Sequence, residues 1–325
     1  MPTSHDDRTR VRELLQTYCP EFTTSRCGRL VTDTTEFTRI GYGDIIFLED
    51  NHFFVYRDEA ERRFGLEDPK YWVKRCRHLE SGESKILKLV FHERFPLRIG
   101  QLEIQCHRSP EKEARILDLV RGDARFMQGH CFHDVVGNNV RVLDIIRGKP
   151  IDEVVAALEV DHPTYFRQYL PDYLARFIAA CEAMEFLHAH QEKHGDVRRD
   201  HLFVEHGTGR CRWIDFDYAF QSNENPFGLD IWGLGNILLH LVGKDLYTTH
   251  DLHTRGFDPA AVQSITSDDM SLMFTHRVMN LRKIIPYIPE DLNRILLHFA
   301  AGSPVFYESV TELLDDLRPV LQALQ

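Results

Sequence analysis

The sequence predicts an α+β protein in two lobes: a small β-rich first part with one main helix, then a larger helical part. Three observations carry this. From Thr38 to about Phe91, short runs rich in Ile, Phe, Val and Tyr alternate with compact turns. After Gly148 the apolar residues recur at helical spacing instead. A chain of 325 residues also suffices for two lobes of ordinary size.

Residues 1–36 read as an N-terminal extension, with one helix around 10–18 and a loop after it. In the β part, GDIIFLEDNHFFVY and KYWVKRCRHLESGESKILKLVF are broken by LEDN and ESGES, which is hairpin punctuation. Ser109-Pro110 supplies a cap and a first-turn proline, so a helix is predicted over 110–122. A strand over 138–146 completes the first lobe, 37–146. The second lobe, 147–325, opens with a helix over 173–190, marked by Leu174, Phe177, Cys181, Met184 and Leu187. A strand–loop–strand block follows over 195–219, then helices over 229–242, 289–301 and 309–324.

Composition narrows the function. Lys and Arg number 39 against 50 Asp and Glu, a net charge of −11, which argues against coating nucleic acid or an anionic membrane. No apolar run approaches the roughly 18–20 residues of a membrane span, and the polar start carries no signal core. Seven scattered cysteines with no CxxC pair read as reduced thiols, so a cytoplasmic protein is expected.

The chemistry concentrates in His194-Gly195-Asp196-Val197-Arg198-Arg199-Asp200-His201-Leu202-Phe203-Val204 and in Trp213-Ile214-Asp215-Phe216-Asp217. Asp196 and Asp215 lie 19 positions apart, each beside an apolar strand, so a hairpin can aim both at one point. Either acid alone also reads as a solvated loop residue. As a pair, one suits a divalent metal and the other can orient a hydroxyl nucleophile, the minimum for phosphoryl transfer.

These segments resemble the protein-kinase-like superfamily. HGDVRRDHLFV is similar to its catalytic loop, H-[RG]-D-x-x-x-x-N followed by a strand, and IDFD is similar to its metal-binding D-F-G. The resemblance implies a bilobal protein-kinase-like fold that moves the γ-phosphoryl of ATP to a hydroxyl, with Mg²⁺ or Mn²⁺. It implies that Asp196 accepts the hydroxyl proton, Arg198 steadies charge near the transferred phosphate, and Asp215 binds the metal. Lys88, in KILKLVF, resembles the strand lysine that holds the α- and β-phosphates. Lys85, three positions earlier, would face the other way. Glu113 resembles that lysine's helix partner, with Glu111 as runner-up. Asp144 and Ile146, in LDIIRGKPI, fall in the hinge whose backbone would bond adenine. LDIWGLG resembles the helix whose aspartate, here Asp230, anchors the catalytic loop, and the closing helices resemble those of bacterial Ser/Thr protein kinases.

Several positions depart from that pattern. The glycine-rich loop is sparse: Gly65, in RRFGL, is the candidate for the phosphates, and Gly41-Tyr42-Gly43 fits a tight turn as well. His201 stands where the family has a metal-binding Asn, and an imidazole suits Mn²⁺ or Zn²⁺ better than Mg²⁺. Asp217 replaces the last glycine of D-F-G; in a strand it would share a face with Asp215, and it or Asp200 would supply missing ligation. Only 15 positions separate Asp215 from Asp230, with no A-P-E between them, and Phe306 replaces the arginine expected before Tyr307. The shortened segment is similar to choline kinases and aminoglycoside phosphotransferases and implies no phosphorylation switch there. The alternatives to a Ser/Thr protein kinase are therefore a small-molecule kinase of that type and a pseudokinase scaffold. The histidines of HAHQEKH read as ordinary helix-end residues, and Trp72 and Trp213 as core.

Overall fold

The computed structural model describes residues 5–18, 20, 28–63, 66–99, 102–222 and 224–325. These form two compact units, residues 1–93 with 108–146 and residues 94–107 with 147–325. The α+β class read from the sequence holds, with a β-rich unit whose strands carry two helices, the N-terminal one as well as the expected main one, and a second unit built mostly of helices. Residues 94–107 leave the expected first lobe and pack within the second unit, so 37–146 is not one continuous block.

The first unit begins with α1 (His5–Tyr18), followed by β1 (Leu30–Val31), β2 (Ile45–Leu48), β3 (Asn51–Arg63), β4 (Leu66–His78) and β5 (Ser84–Lys88). The hairpin β6 (Arg94–Ile99) and β7 (Leu102–Arg108) intervenes, and α2 (Pro110–Leu119), β8 (Gly129–His133) and β9 (Asn139–Asp144) complete the unit. One seven-stranded sheet runs β1-β2-β3-β4-β5-β9-β8. LEDN makes its first tight turn because Glu49 and Asp50 both take left-handed backbone angles (φ 46° and 70°), as a short hairpin loop demands. Strand alternation buries Ile46, Leu48, Phe53, Val55, Cys76, Leu87, Val140 and Val142 as one core. The N-terminal helix is part of this unit: Val11 and Leu15 pack with Ile45, Phe54 and Leu79.

Ser109 caps α2 as its sequence predicts, its hydroxyl accepting from the Lys112 amide at 3.2 Å. The helix ends at Leu119, short of the expected 122, because the turn to Gly122 takes a left-handed φ of 81°. Gly41-Tyr42-Gly43 proves to be the tight turn: the Asp44 amide bonds the Gly41 carbonyl at 3.1 Å and Gly43 has φ 90°.

The second unit continues through β10 (Gly148–Pro150), α3 (Ile151–Ala156), α4 (His162–Gln168), α5 (Leu170–Ala189), β11 (Leu202–Glu205), β12 (Cys211–Trp213) and β13 (Tyr218–Phe220). Then come α6 (Gly228–Gly243), α7 (Thr249–Thr254), α8 (Pro259–Ser264), α9 (Glu290–Leu297) and α10 (Val310–Leu324). Strands β10-β11-β12 form one small sheet and β13-β7-β6 another. Trp213 is core, fully buried with its indole N–H donating to the Ala180 carbonyl at 2.9 Å. Trp72, in the first unit, is half-buried and stacks on Phe91 with ring centres 4.2 Å apart. Among the described residues no helix is long and apolar enough to cross a membrane. The described cysteines are free thiols, with Cys76, Cys106, Cys181 and Cys211 buried.

Candidate active site

In the first unit, Lys88 ends β5 and points to α2. Its ammonium meets Glu113 Oε1 at 2.8 Å, and both side chains are buried, at 7% and 0% exposure. Glu113, rather than Glu111, is the partner. Lys85 lies on the other face, pairing with Asp144 and Glu83 at 2.7 Å each. Arg141, on β9, also reaches Glu113, through Nε to Oε2 at 3.1 Å. Sequence reading missed it, because only the strand register sets Arg141 opposite Lys88. Asp144 ends β9 with its amide donating to the Gln128 carbonyl at 2.9 Å, and Ile146 lies just beyond. Gly65 lies outside the described residues.

In the second unit, α5 ends at Ala189 with His190 as its cap, and the chain reverses through Gln191 (φ 60°) into the acidic loop. Fully buried Asp230, in the first turn of α6, fixes that loop. Its carboxylate accepts the His194 amide at 2.7 Å and the Gly195 amide at 2.8 Å. Gly195 has φ 89°, where a side chain would be strained. At Gly233 a Cβ would come within 2.4 Å of the Val197 carbonyl oxygen, so α6 approaches the loop closely only because that residue is glycine. The histidines of HAHQEKH are more than helix-end residues. His188 Nε2 lies 3.0 Å from Asp230 Oδ2, and His194 is wholly enclosed, its ring edge-on to Trp213 and Phe216.

This loop brings Asp196, His201 and Asp215 together. His201 Nδ1 is 2.9 Å from the Asp196 carbonyl oxygen and 3.5 Å from its Oδ2. On the ring's other side, Nε2 is 3.6 Å from Asp215 Oδ2. A carbonyl can only accept, so Nδ1 donates to it, and Nε2 is the ring nitrogen that faces Asp215. The Ile214 amide donates to the His201 carbonyl at 3.1 Å, tying the two segments together. Burial raises the Asp196 carboxyl, with neighbouring Asp215 and Asp200 adding to it and His201 and Arg198 opposing. A raised carboxyl is a better proton acceptor. Arg198 grips Asp200 (Nε to Oδ1 3.0 Å, with a second contact to Oδ2) and stands 3.9 Å from Asp196 Oδ2. For Asp200, burial pushes upward but the Arg198 hydrogen bond and nearby positive charge win, so it stays ionised.

Asp215 and Asp217 are not in a strand: residues 214–217 are irregular, and Asp215 takes a left-handed φ of 68°. The alternation argument for a shared face therefore fails. Asp215 is partly exposed, whereas Asp217 is 2% exposed and encloses itself beside buried Phe216. Among the described residues no three His, Cys, Asp or Glu side chains converge at metal-binding distances.

The stretch after Asp217 enters β13, which hydrogen-bonds to the hairpin β6–β7. Ile104 and Cys106 of the hairpin bury against Phe220, and Phe95 meets Tyr218 edge-on at 5.4 Å. Sequence reading left this hairpin out, although RFPLRIGQLEIQC alternates apolar and polar around a central glycine. Pro96 is compatible with it, because proline is tolerated in edge strands and β6 is the edge strand.

No family model matches the chain. It is 24% identical over 149 residues to a putative ribosomal protein S6 kinase alpha-2 of Caenorhabditis elegans, over 45% of this chain and 17% of that protein. The chain thus spans less than a fifth of that relative's length. Among solved structures it is similar to the PknI kinase domain of Mycobacterium tuberculosis (15% identity, TM-score 0.47, 84% of this chain and 97% of that one). It is also similar to Rad53 1–466 in complex with AMP-PNP (13% identity, TM-score 0.49, 81% and 64%). That relative is a kinase by name.

Proposed function

We propose that the protein is an ATP-dependent phosphotransferase acting on a hydroxyl, with a Ser or Thr side chain of a protein as the favoured acceptor. One observation carries the reading: Asp196 and Asp215 are held on opposite sides of one imidazole, in a loop whose backbone Asp230 fixes from below. Asp196 would take the acceptor's hydroxyl proton as the oxygen bonds the γ-phosphorus and the bond from that phosphorus to the ADP oxygen breaks. Arg198 would offset charge beside it. Lys88, ordered by Glu113, would hold the α- and β-phosphates. Asp215, with His201 beside it, would hold Mg²⁺ or Mn²⁺, which neutralises phosphate oxygens when bound. The free buried thiols agree with a cytoplasmic setting.

The experiment is a thermal melt of the purified protein with ATP and either no metal, Mg²⁺ or Mn²⁺, with Asp215→Ala as control. Nucleotide at 100 times its Kd stabilises by about 2.7 kcal/mol, a shift of a few degrees for a chain this long. The reading requires a metal-dependent shift that the variant loses. Absence of any shift would sink it and favour a scaffold, for which His201 beside Asp215 would be a packing feature. Given a shift, phosphoryl transfer to basic Ser/Thr peptides against small alcohols separates the protein-kinase reading from the small-molecule one.

A further inference from the structure

Glu113 is shared by two cations. Lys88 takes Oε1 and Arg141 takes Oε2, with Arg141 only 2% exposed and Glu113 not at all. The two cations come from neighbouring strands in direct register, Lys88 opposite Arg141. Cross-strand partners project from the same face, which here is the face α2 covers. Arg141 is itself anchored, donating to the Asn139 carbonyl at 2.8 Å and the Leu89 carbonyl at 3.4 Å.

With a lysine alone, Glu113 and its helix would be held by one flexible ammonium. The lysine could then turn to a phosphate only by leaving a buried carboxylate bare, which is costly. Arg141 removes that conflict. Its guanidinium presents a rigid cationic fork, so Glu113 keeps a cationic partner whichever way Lys88 turns. We propose that Arg141 is a positioning residue for the phosphate-binding lysine: by holding the second oxygen of Glu113 it fixes α2 and Lys88 in one arrangement before nucleotide arrives. This deepens the phosphotransferase reading and rests on it for its functional half, whereas the hold on α2 stands alone.

The test compares wild type, Arg141→Met, Lys88→Met, the double variant and Arg141→Lys. Two quantities are read: hydrogen exchange of the α2 amides, and the Kd of ATP against that of adenosine, both with Mg²⁺. Arg141→Met should speed α2 exchange about tenfold or more, while Lys88→Met leaves it within about twofold. Arg141→Met should also lower the preference for ATP over adenosine about tenfold with adenosine binding unchanged, and cause no further loss in the Lys88→Met background. Arg141→Lys, which keeps the charge but not the fork, should fall between on both readouts. It serves alone if the methionine variant does not fold. Unchanged α2 exchange, equal losses for ATP and adenosine, a loss that persists without Lys88, or Arg141→Lys identical to wild type would each overturn the proposal. If wild type binds no ATP, the phosphotransferase reading fails and the exchange data decide the role of Arg141 by themselves.

Discussion

Asp230 and His188 meet at 3.0 Å with the aspartate fully enclosed, and the same carboxylate takes the amides of His194 and Gly195. Three donors converge on one buried anion. The helix end at His188, the loop at Gly195 and the start of α6 are therefore positioned by a single side chain.

Removing it should be expensive. Asp230→Ala leaves two amides and an imidazole N–H without their acceptor, costing about 3–5 kcal/mol in a denaturant titration. Burial pushes the Asp230 carboxyl up, but the His188 hydrogen bond and charge and the Gly195 amide outweigh it, so its pKa lies below the ordinary value. A depressed folded pKa gives stability that is complete above the unfolded value of about 3.9 and fades as pH falls through the folded one. Wild type should lose stability over that acid window, and Asp230→Asn should lose this part of the pH dependence. A parallel acid profile in the variant would assign the effect to other carboxylates.

Much of this arrangement was legible in the residue order. Ser109-Pro110 announced α2, β-rich runs broken by short turns announced β3 to β5, Asp196 and Asp215 stood out because each sits beside an apolar strand, and Asp230 stood out through the family resemblance of LDIWGLG. What stayed hidden depends on register or on a rule with exceptions. Arg141 gains its meaning only from lying opposite Lys88. The 94–108 hairpin lies past the β-rich stretch that ends near Phe91, and its edge strand carries Pro96, a residue that argues against a strand unless the strand is an edge. Asp215 and Asp217 could not be assigned faces, because a left-handed residue interrupts the strand that alternation assumed.

On the phosphotransferase reading, Asp196→Asn should bind ATP with near wild-type affinity yet transfer phosphate about 10²–10⁴ times more slowly, since it would remove the proposed proton acceptor and little else. Because burial raises the Asp196 carboxyl, the base exists only above that raised pKa. Activity should therefore fall with decreasing pH at a value above that of an ordinary aspartate. A kcat profile of wild type from pH 4 to 8 reads this limb (roughly the range over which such shifts are seen). A limb at the ordinary aspartate value would remove the role given to burial.

His201→Asn tests the imidazole between the two acids. If its Nε2 lone pair serves the ion beside Asp215, the preference for Mn²⁺ over Mg²⁺ in the ATP melt should fall about tenfold in the variant. Unchanged metal preference would mean that His201 only bridges Asp196 and Asp215 as a hydrogen-bonding spacer.

The hairpin β6–β7 offers the last prediction. The stretch from Asp215 to Asp230 has no room for a long regulated loop, and its strand β13 is already paired to the hairpin, with Ile104 and Cys106 buried against Phe220. Cys106 also lies close enough to Asp196 for that carboxylate's charge, after burial, to raise its thiol pKa. On the phosphotransferase reading, strand pairing would do the ordering that a phosphate on a longer loop does elsewhere. Treatment with phosphatase should leave activity unchanged. Ile104→Ala, which opens a cavity worth about 2–5 kcal/mol at this contact, should instead speed exchange of the 218–220 amides and lower kcat, with α9 and α10 unaffected. Phosphatase sensitivity together with a silent Ile104→Ala would show that the segment is ordered by modification and not by the hairpin.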